Sequence, residues 1–114
     1  MPDPGEIRSS LEQIVSPYLE ITGVRAAALV STDGLLVAAV GGWEFDLEAV
    51  ASHAAAVLSS VTGLATELGG FPRIFSCDLT GQGLILAPLT DEVFLALWGG
   101  TNILALNLRP SVSL

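Results

Sequence analysis

Val24-Arg25-Ala26-Ala27-Ala28-Leu29-Val30-Ser31-Thr32-Asp33-Gly34-Leu35-Leu36-Val37-Ala38-Ala39-Val40 holds two apolar runs divided by Thr-Asp-Gly. Asp-Gly between such runs is a strong hairpin signal, because glycine accepts the positive φ that a tight turn demands. Strands are therefore expected over Val24–Ser31 and Leu35–Val40. Both runs are almost uniformly apolar instead of alternating, which is the pattern of a strand covered on both faces. A sheet with helices on each side follows, and the chain reads as an α/β sandwich.

Upstream, Ile7, Leu11, Ile14, Val15, Tyr18 and Leu19 recur at helical spacing from Gly5 onward. Residues 1–4 read as a disordered lead and 5–114 as one domain. Pro17 should end or kink the helix near Ser16, and Thr22-Gly23 closes the element. Downstream, Asp46 suits an N-cap, Glu48 the first turn, and Phe45 a staple onto Val50. That helix should run from Leu47 to about Leu68, where Gly69-Gly70 and Pro72 stop it. Three strands follow, Arg73–Asp78, Gly83–Leu89 and Val93–Trp98, with links short enough for antiparallel neighbours. The last segment, Ile103–Arg109, fits a strand by the alternation of Leu104, Leu106 and Leu108, or a short helix capped by Asn102; Pro110 ends either.

Composition bears on function before any motif does. Hydrophobic residues make up 51% of the 114 and charged residues only 14%, against about 25% charged in typical soluble domains. So short a chain has more apolar side chains than one core readily hides, and such a surplus points to a protein–protein interface. A membrane span is the competing reading. The best candidate, Ala49–Leu68, is interrupted by Ser52, His53, Ser59, Ser60, Thr62, Thr66 and Glu67. The opening Met-Pro-Asp-Pro-Gly-Glu has no basic segment leading into an apolar one. A cytoplasmic protein without membrane insertion is expected. Twelve acidic residues against four arginines leave a net charge of -8, which repels phosphate backbones and argues against nucleic acid. Such a surface suits a basic protein partner, or simply solubility. The single cysteine, Cys77, excludes an internal disulfide and a cysteine-based metal site, and a thiol in an apolar strand is most often an inert packing residue.

The second helix is the most informative segment. Leu47, Val50, Ala54, Val57, Leu58, Val61, Leu64 and Leu68 form its expected core stripe. No acid or arginine lies between Glu48 and Glu67; the remaining surface offers Ser52, His53, Ala56, Ser59, Ser60 and Gly63. Small residues on a second face let another backbone approach closely, so this face is expected to meet a twin helix or a partner. A weakly polar solvent face is the plainer alternative.

Catalytic chemistry needs two or three suitable groups brought together. The one histidine, His53, sits mid-helix among Ala and Ser, where packing or an interface explains it. No serine elbow and no phosphate loop are present, and the chain has no lysine. Asp46 and Glu48 are explained by helix capping. No catalytic, cofactor-binding or metal-ligating residue is assigned, and no enzyme is expected.

With its element order, the stretch Ile21-Thr22-Gly23-Val24 through Asp33-Gly34-Leu35 and on to Ala38 resembles the roadblock/dynein-light-chain domain family. Gly83-Leu84-Ile85-Leu86-Ala87-Pro88-Leu89 and Val93-Phe94-Leu95-Ala96-Leu97-Trp98 are similar to that family's central strands, and Asn102–Arg109 to its Asn-capped last helix. The resemblance spans nearly the whole chain and rests on order and spacing more than on any one motif. It implies a five-stranded antiparallel sheet in the order 2-1-5-4-3, with the long helix on one face and the terminal helices on the other. It also implies homodimers in which third strands pair edge to edge and second helices pack together. Here those would be Arg73, Phe75 and Cys77 of the strand with Ser52, His53, Ala56, Ser59, Ser60 and Gly63 of the helix. Bacterial members often act with small Ras-like GTPases, as the MglB-type regulators of polarity and motility do. They stimulate GTP hydrolysis by repositioning the GTPase's own residues. A regulator or scaffold of a small Ras-like GTPase is thus expected, the alternatives being a structural adaptor or a small-ligand sensor. The sequence departs from the family at Pro110, which cuts the last element short and bears on activation as distinct from binding.

Overall fold

The hairpin forms where Asp-Gly places it. In the computed structural model, which describes residues 3–105, strand β1 (Val24–Ser31) turns into β2 (Leu36–Gly41). Gly34 takes a φ of 91° and donates its N–H to the Ser31 carbonyl at 2.9 Å. A Cβ at Gly34 would touch the Cα of Ser52 at 3.4 Å, so the turn is tucked against a helix as well as bent.

That helix is α2 (Leu47–Glu67), and the Asp46 carboxylate caps it by accepting from the Ala49 N–H at 3.1 Å. It ends in a hydrogen-bonded glycine cap, Gly70 N–H to the Ala65 carbonyl and Gly69 N–H to that of Thr66. β3 (Phe75–Asp78), β4 (Gly83–Pro88) and β5 (Val93–Gly99) follow. The sheet order is β2-β1-β5-β4-β3, antiparallel throughout. β3 is shorter than expected: Arg73 and Ile74 belong to the approach, not the strand.

At the N-terminus, α1 (Pro4–Val15) breaks into a 3-10 turn over Ser16–Glu20, as Pro17 requires. The helix begins one residue before Gly5, because Asp3 caps it by accepting from the Glu6 N–H at 2.8 Å and Pro4 suits the first position. This corrects the reading of residues 1–4 as a disordered lead at Asp3 and Pro4; Met1 and Pro2 lie outside the described residues. At the other end, Thr101–Ala105 is a 3-10 segment, which decides for helical geometry over strand there. Asn102 does not precede it as a cap but lies within it, and its Nδ2 donates to the Thr22 carbonyl at 3.2 Å. The expectations for Leu106–Arg109 and Pro110 fall outside the described residues.

Each sheet face carries its own core, because alternate strand residues point to opposite sides. Ala26, Ala28, Val30, Leu86, Phe94, Ala96 and Trp98 meet Ala51, Ala54, Ala55 and Leu58 of α2. Ala27, Leu29, Ile85, Ala87, Leu95 and Leu97 meet Val15 and Ile103 from the terminal elements. This explains why β1 lacks polar alternation; β2, also expected to be covered on both faces, is instead an edge strand in which only Ala38 is buried. Among the described residues no polar or charged side chain is buried.

The core stripe expected on α2 is corrected. Ala54 and Leu58 are buried, but their buried companions are Ala51 and Ala55, while Val57, Leu64 and Leu68 are exposed, the last two at 61% and 79%. Small residues bring the helix down onto Ala26, Ala28 and Ala96, and the large ones are left on its flank. By length and composition α2 could cross a membrane, its polar interruptions notwithstanding; in this fold its alanine side is seated on the sheet.

Two substitutions test these contacts. Phe94 is fully buried, and Phe94→Ala should lower unfolding free energy by about 3–5 kcal/mol in a urea titration. Gly99 has no room for a Cβ, which would run into the Gly23 carbonyl oxygen; Gly99→Ala should cost about 1–3 kcal/mol in the same measurement.

Candidate functional site

α2 lies over β1 and β2 and leaves the β3 side of the sheet partly open. Between its flank and β3–β4 runs a groove of about 580 Å³. Val50, His53, Ala54 and Val57 form the helical wall; Phe75, Cys77 and Leu84 form the sheet wall, with Trp98 and Phe45 also lining it. Trp98 and Phe45 meet edge to face, ring centroids 6.3 Å apart. Phe75 and Cys77 reach the groove because they share one parity of β3; Ser76 and Asp78, on the other, are exposed.

β3 is also an edge strand, and its hydrogen-bond phase is set by the turn that follows it. Thr80 and Gly81 both take positive φ, 54° and 94°, the arrangement of a two-residue type I′ hairpin. Leu79 closes it by donating to the Gln82 carbonyl at 2.7 Å. Counting back through the pairs Asp78↔Gly83, Cys77↔Leu84, Ser76↔Ile85 and Phe75↔Leu86, Cys77 and Phe75 bond to β4. The N–H and C=O groups of Ser76 and Asp78 therefore point to the open edge. An uncapped edge beside an apolar groove is a surface fitted for another chain.

Apolar exposure continues past the groove. Leu64 and Leu68 extend the same flank of α2, Ile74 is exposed before β3, and Leu79, at the groove's end, is exposed after it. The polar residues of the groove lining are few: Asp46, already spent as a helix cap, His53, Gln82 and the half-buried thiol Cys77. Among the described residues no group of three or more His, Cys, Asp or Glu could hold a metal ion. Burial raises the Tyr18 phenol above its ordinary range, on the other side of the sheet.

The residues singled out in the sequence divide into three places. His53, Phe75 and Cys77 come together in the groove. Ala56, Ser60 and Gly63 are exposed, and a Cβ at Gly63 would meet nothing within 4 Å. Ser52 abuts the Gly34 turn, and Ser59 lines a separate depression with Thr32 and Phe71. Arg73 is exposed ahead of β3. Val50, assigned to the core by periodicity, packs partly buried against it, whereas the exposed flank residues Val57, Leu64 and Leu68, assigned there too, escape sequence reasoning as surface. Their signal is an apolar arc on α2 too wide for one sheet contact, with Ala51 and Ala55 widening it on the far side.

No curated protein sequence matches the chain. Among solved structures, MglB of Myxococcus xanthus is similar at 17% identity, over 82% of this chain and 78% of that one, with a TM-score of 0.76. The gliding protein MglB of Thermus thermophilus is similar at 20% identity, over 90% and 77%, with a TM-score of 0.73. An MglB solved in a tetrameric arrangement is similar at 18% identity, over 97% and 79%, with a TM-score of 0.75. These likenesses concern the fold. The Roadblock/LC7 domain model matches residues 10–98, a span that takes in all five strands and α2 except the final Gly99 of β5, and the chain belongs to the Roadblock/LC7 domain family.

Proposed function

We propose that this protein is a homodimeric, non-enzymatic regulator or scaffold of a small Ras-like GTPase, acting in the cytoplasm. The observation that carries the reading is the apolar groove lying beside an open strand edge. A second copy satisfies both at once. Antiparallel pairing of two β3 strands extends the sheet across a two-fold axis and brings the α2 flanks, with Val50, His53 and Val57, together above the seam. Phe75 and Cys77 line that seam from below. An MglB solved as a tetramer supports self-association on this fold. The uncharged outer face of α2, with Ala56, Ser60 and Gly63, remains for the GTPase, with Ser52 and Ser59 on the same helix, while Arg73 lies ahead of the pairing strand. MglB among the similar structures supports a GTPase-linked system.

Light scattering tests the pairing. The wild type should have a mass near twice 11.8 kDa, and Val57→Glu should halve it, while Ser59→Glu on the other flank leaves it unchanged. A wild-type monomer, or a Val57→Glu dimer, removes the proposed seam. For the function, GTP- and GDP-loaded Ras-like GTPases encoded in the same genome are tested for binding and for single-turnover hydrolysis. Binding that prefers one nucleotide state, or a changed hydrolysis rate, is expected. Binding to neither state by any of them shifts the reading to an adaptor that tethers larger proteins.

A further inference from the structure

On the other flank of α2 from the groove lies a second depression, of about 410 Å³, different in chemistry. The C-terminal half of α2 forms one wall, Phe71-Pro72 another, and the β4–β5 turn from Pro88 to Asp91 a third. Asp91 is the one charged residue in the lining, and none of the basic residues described lines it. Pro72 and Pro88 have no N–H to offer. The Thr62 hydroxyl spends its proton on the Leu58 carbonyl at 2.8 Å. The Thr90 hydroxyl oxygen is fixed in place by accepting from the Glu92 and Val93 N–H groups at 3.1 and 3.0 Å. The turn that presents Asp91 is thereby held in shape.

We propose that this slot receives an arginine side chain of a partner protein. Leu58, Pro72 and Pro88 of its lining suit the methylene stem, which long cationic side chains bury while keeping the head polar. Phe71, 80% exposed, supplies an aromatic ring and Asp91 a carboxylate counter-charge in the same lining. A net charge of -8 favours encounter with a basic surface. The slot does not depend on the proposed pairing, since the groove lies on the opposite side of the helix.

The test is a nuclear magnetic resonance titration of the ¹⁵N-labelled full chain with N-acetyl-L-arginine methylamide. Its neutral isostere N-acetyl-L-citrulline methylamide serves as control. Saturable shifts of the Thr62, Thr90 and Asp91 amides are expected with arginine and not with citrulline. Asp91→Asn, its spectrum otherwise unchanged, should bind about tenfold more weakly, as loss of a charge-assisted hydrogen bond implies. Phe71→Ala, which removes an exposed side chain and leaves folding intact, should weaken binding as well. Shifts scattered over other acidic residues, equal response to citrulline, or undiminished binding by Asp91→Asn would each overturn the proposal. Dimer mass and GTPase binding are separate readouts, so the slot can fail while the proposed function stands.

Discussion

Alanine on both sides of one contact governs much of this molecule. Ala51, Ala54 and Ala55 of α2 face Ala26, Ala28 and Ala96 of the two central strands. With one-carbon side chains on either side, the contact is made by small groups, and a small void lined by Ala28, Ala51, Ala54, Ala96 and Trp98 remains beside it. Of the larger residues of α2, Leu58 is buried with Phe94 and Trp98, Leu47 and Val50 pack partly buried against the same core, and Val57, Leu64 and Leu68 are exposed. The helix lies over β1 and β2, toward one side of the sheet, and the groove is what it leaves uncovered on the β3 side.

The charge distribution fits that geometry. Glu48 and Glu67 stand at the two ends of α2, and Asp91 and Glu92 at the β4–β5 turn, while the helix between its ends carries no acid or arginine. The chain thus keeps charge around an apolar surface and out of it. Exposed apolar area of this extent is costly in water unless another surface covers it. The sheet edges reinforce the point: β3 leaves the backbone groups of Ser76 and Asp78 toward open solvent, next to the groove. Open backbone groups and exposed apolar side chains thus lie side by side along this edge.

Reading α2 from sequence went astray for a physical reason. Helical periodicity reports which residues share a side, and it ranks sides by hydrophobicity. Val57, Leu64 and Leu68 therefore rank as core, and the small residues as surface. Burial, however, depends on how near the opposing layer can come, and that is set by residues Ala26, Ala28 and Ala96, distant in the chain. Of the small residues, Ala51, Ala54 and Ala55 are buried, whereas Ala56, Ser60 and Gly63 are exposed as expected. In the groove, His53, Phe75 and Cys77 stand with Val57, which periodicity assigns to the core, and with Val50, which is partly buried against it.

Local chemistry alone determined the elements. Asp33-Gly34 placed the first hairpin, Asp46 and Gly69-Gly70 bounded α2, and Pro17 broke α1, because each acts through backbone geometry or caps within a few residues. The near-uniform apolarity of β1 likewise required cover on both sheet faces. Tertiary structure decided which side of α2 is inside, that β3 lies at the edge of the sheet, and how Asn102 ties the end of the described chain back to Thr22. Those outcomes depend on distances between segments far apart in the chain, which no local pattern of residue types encodes.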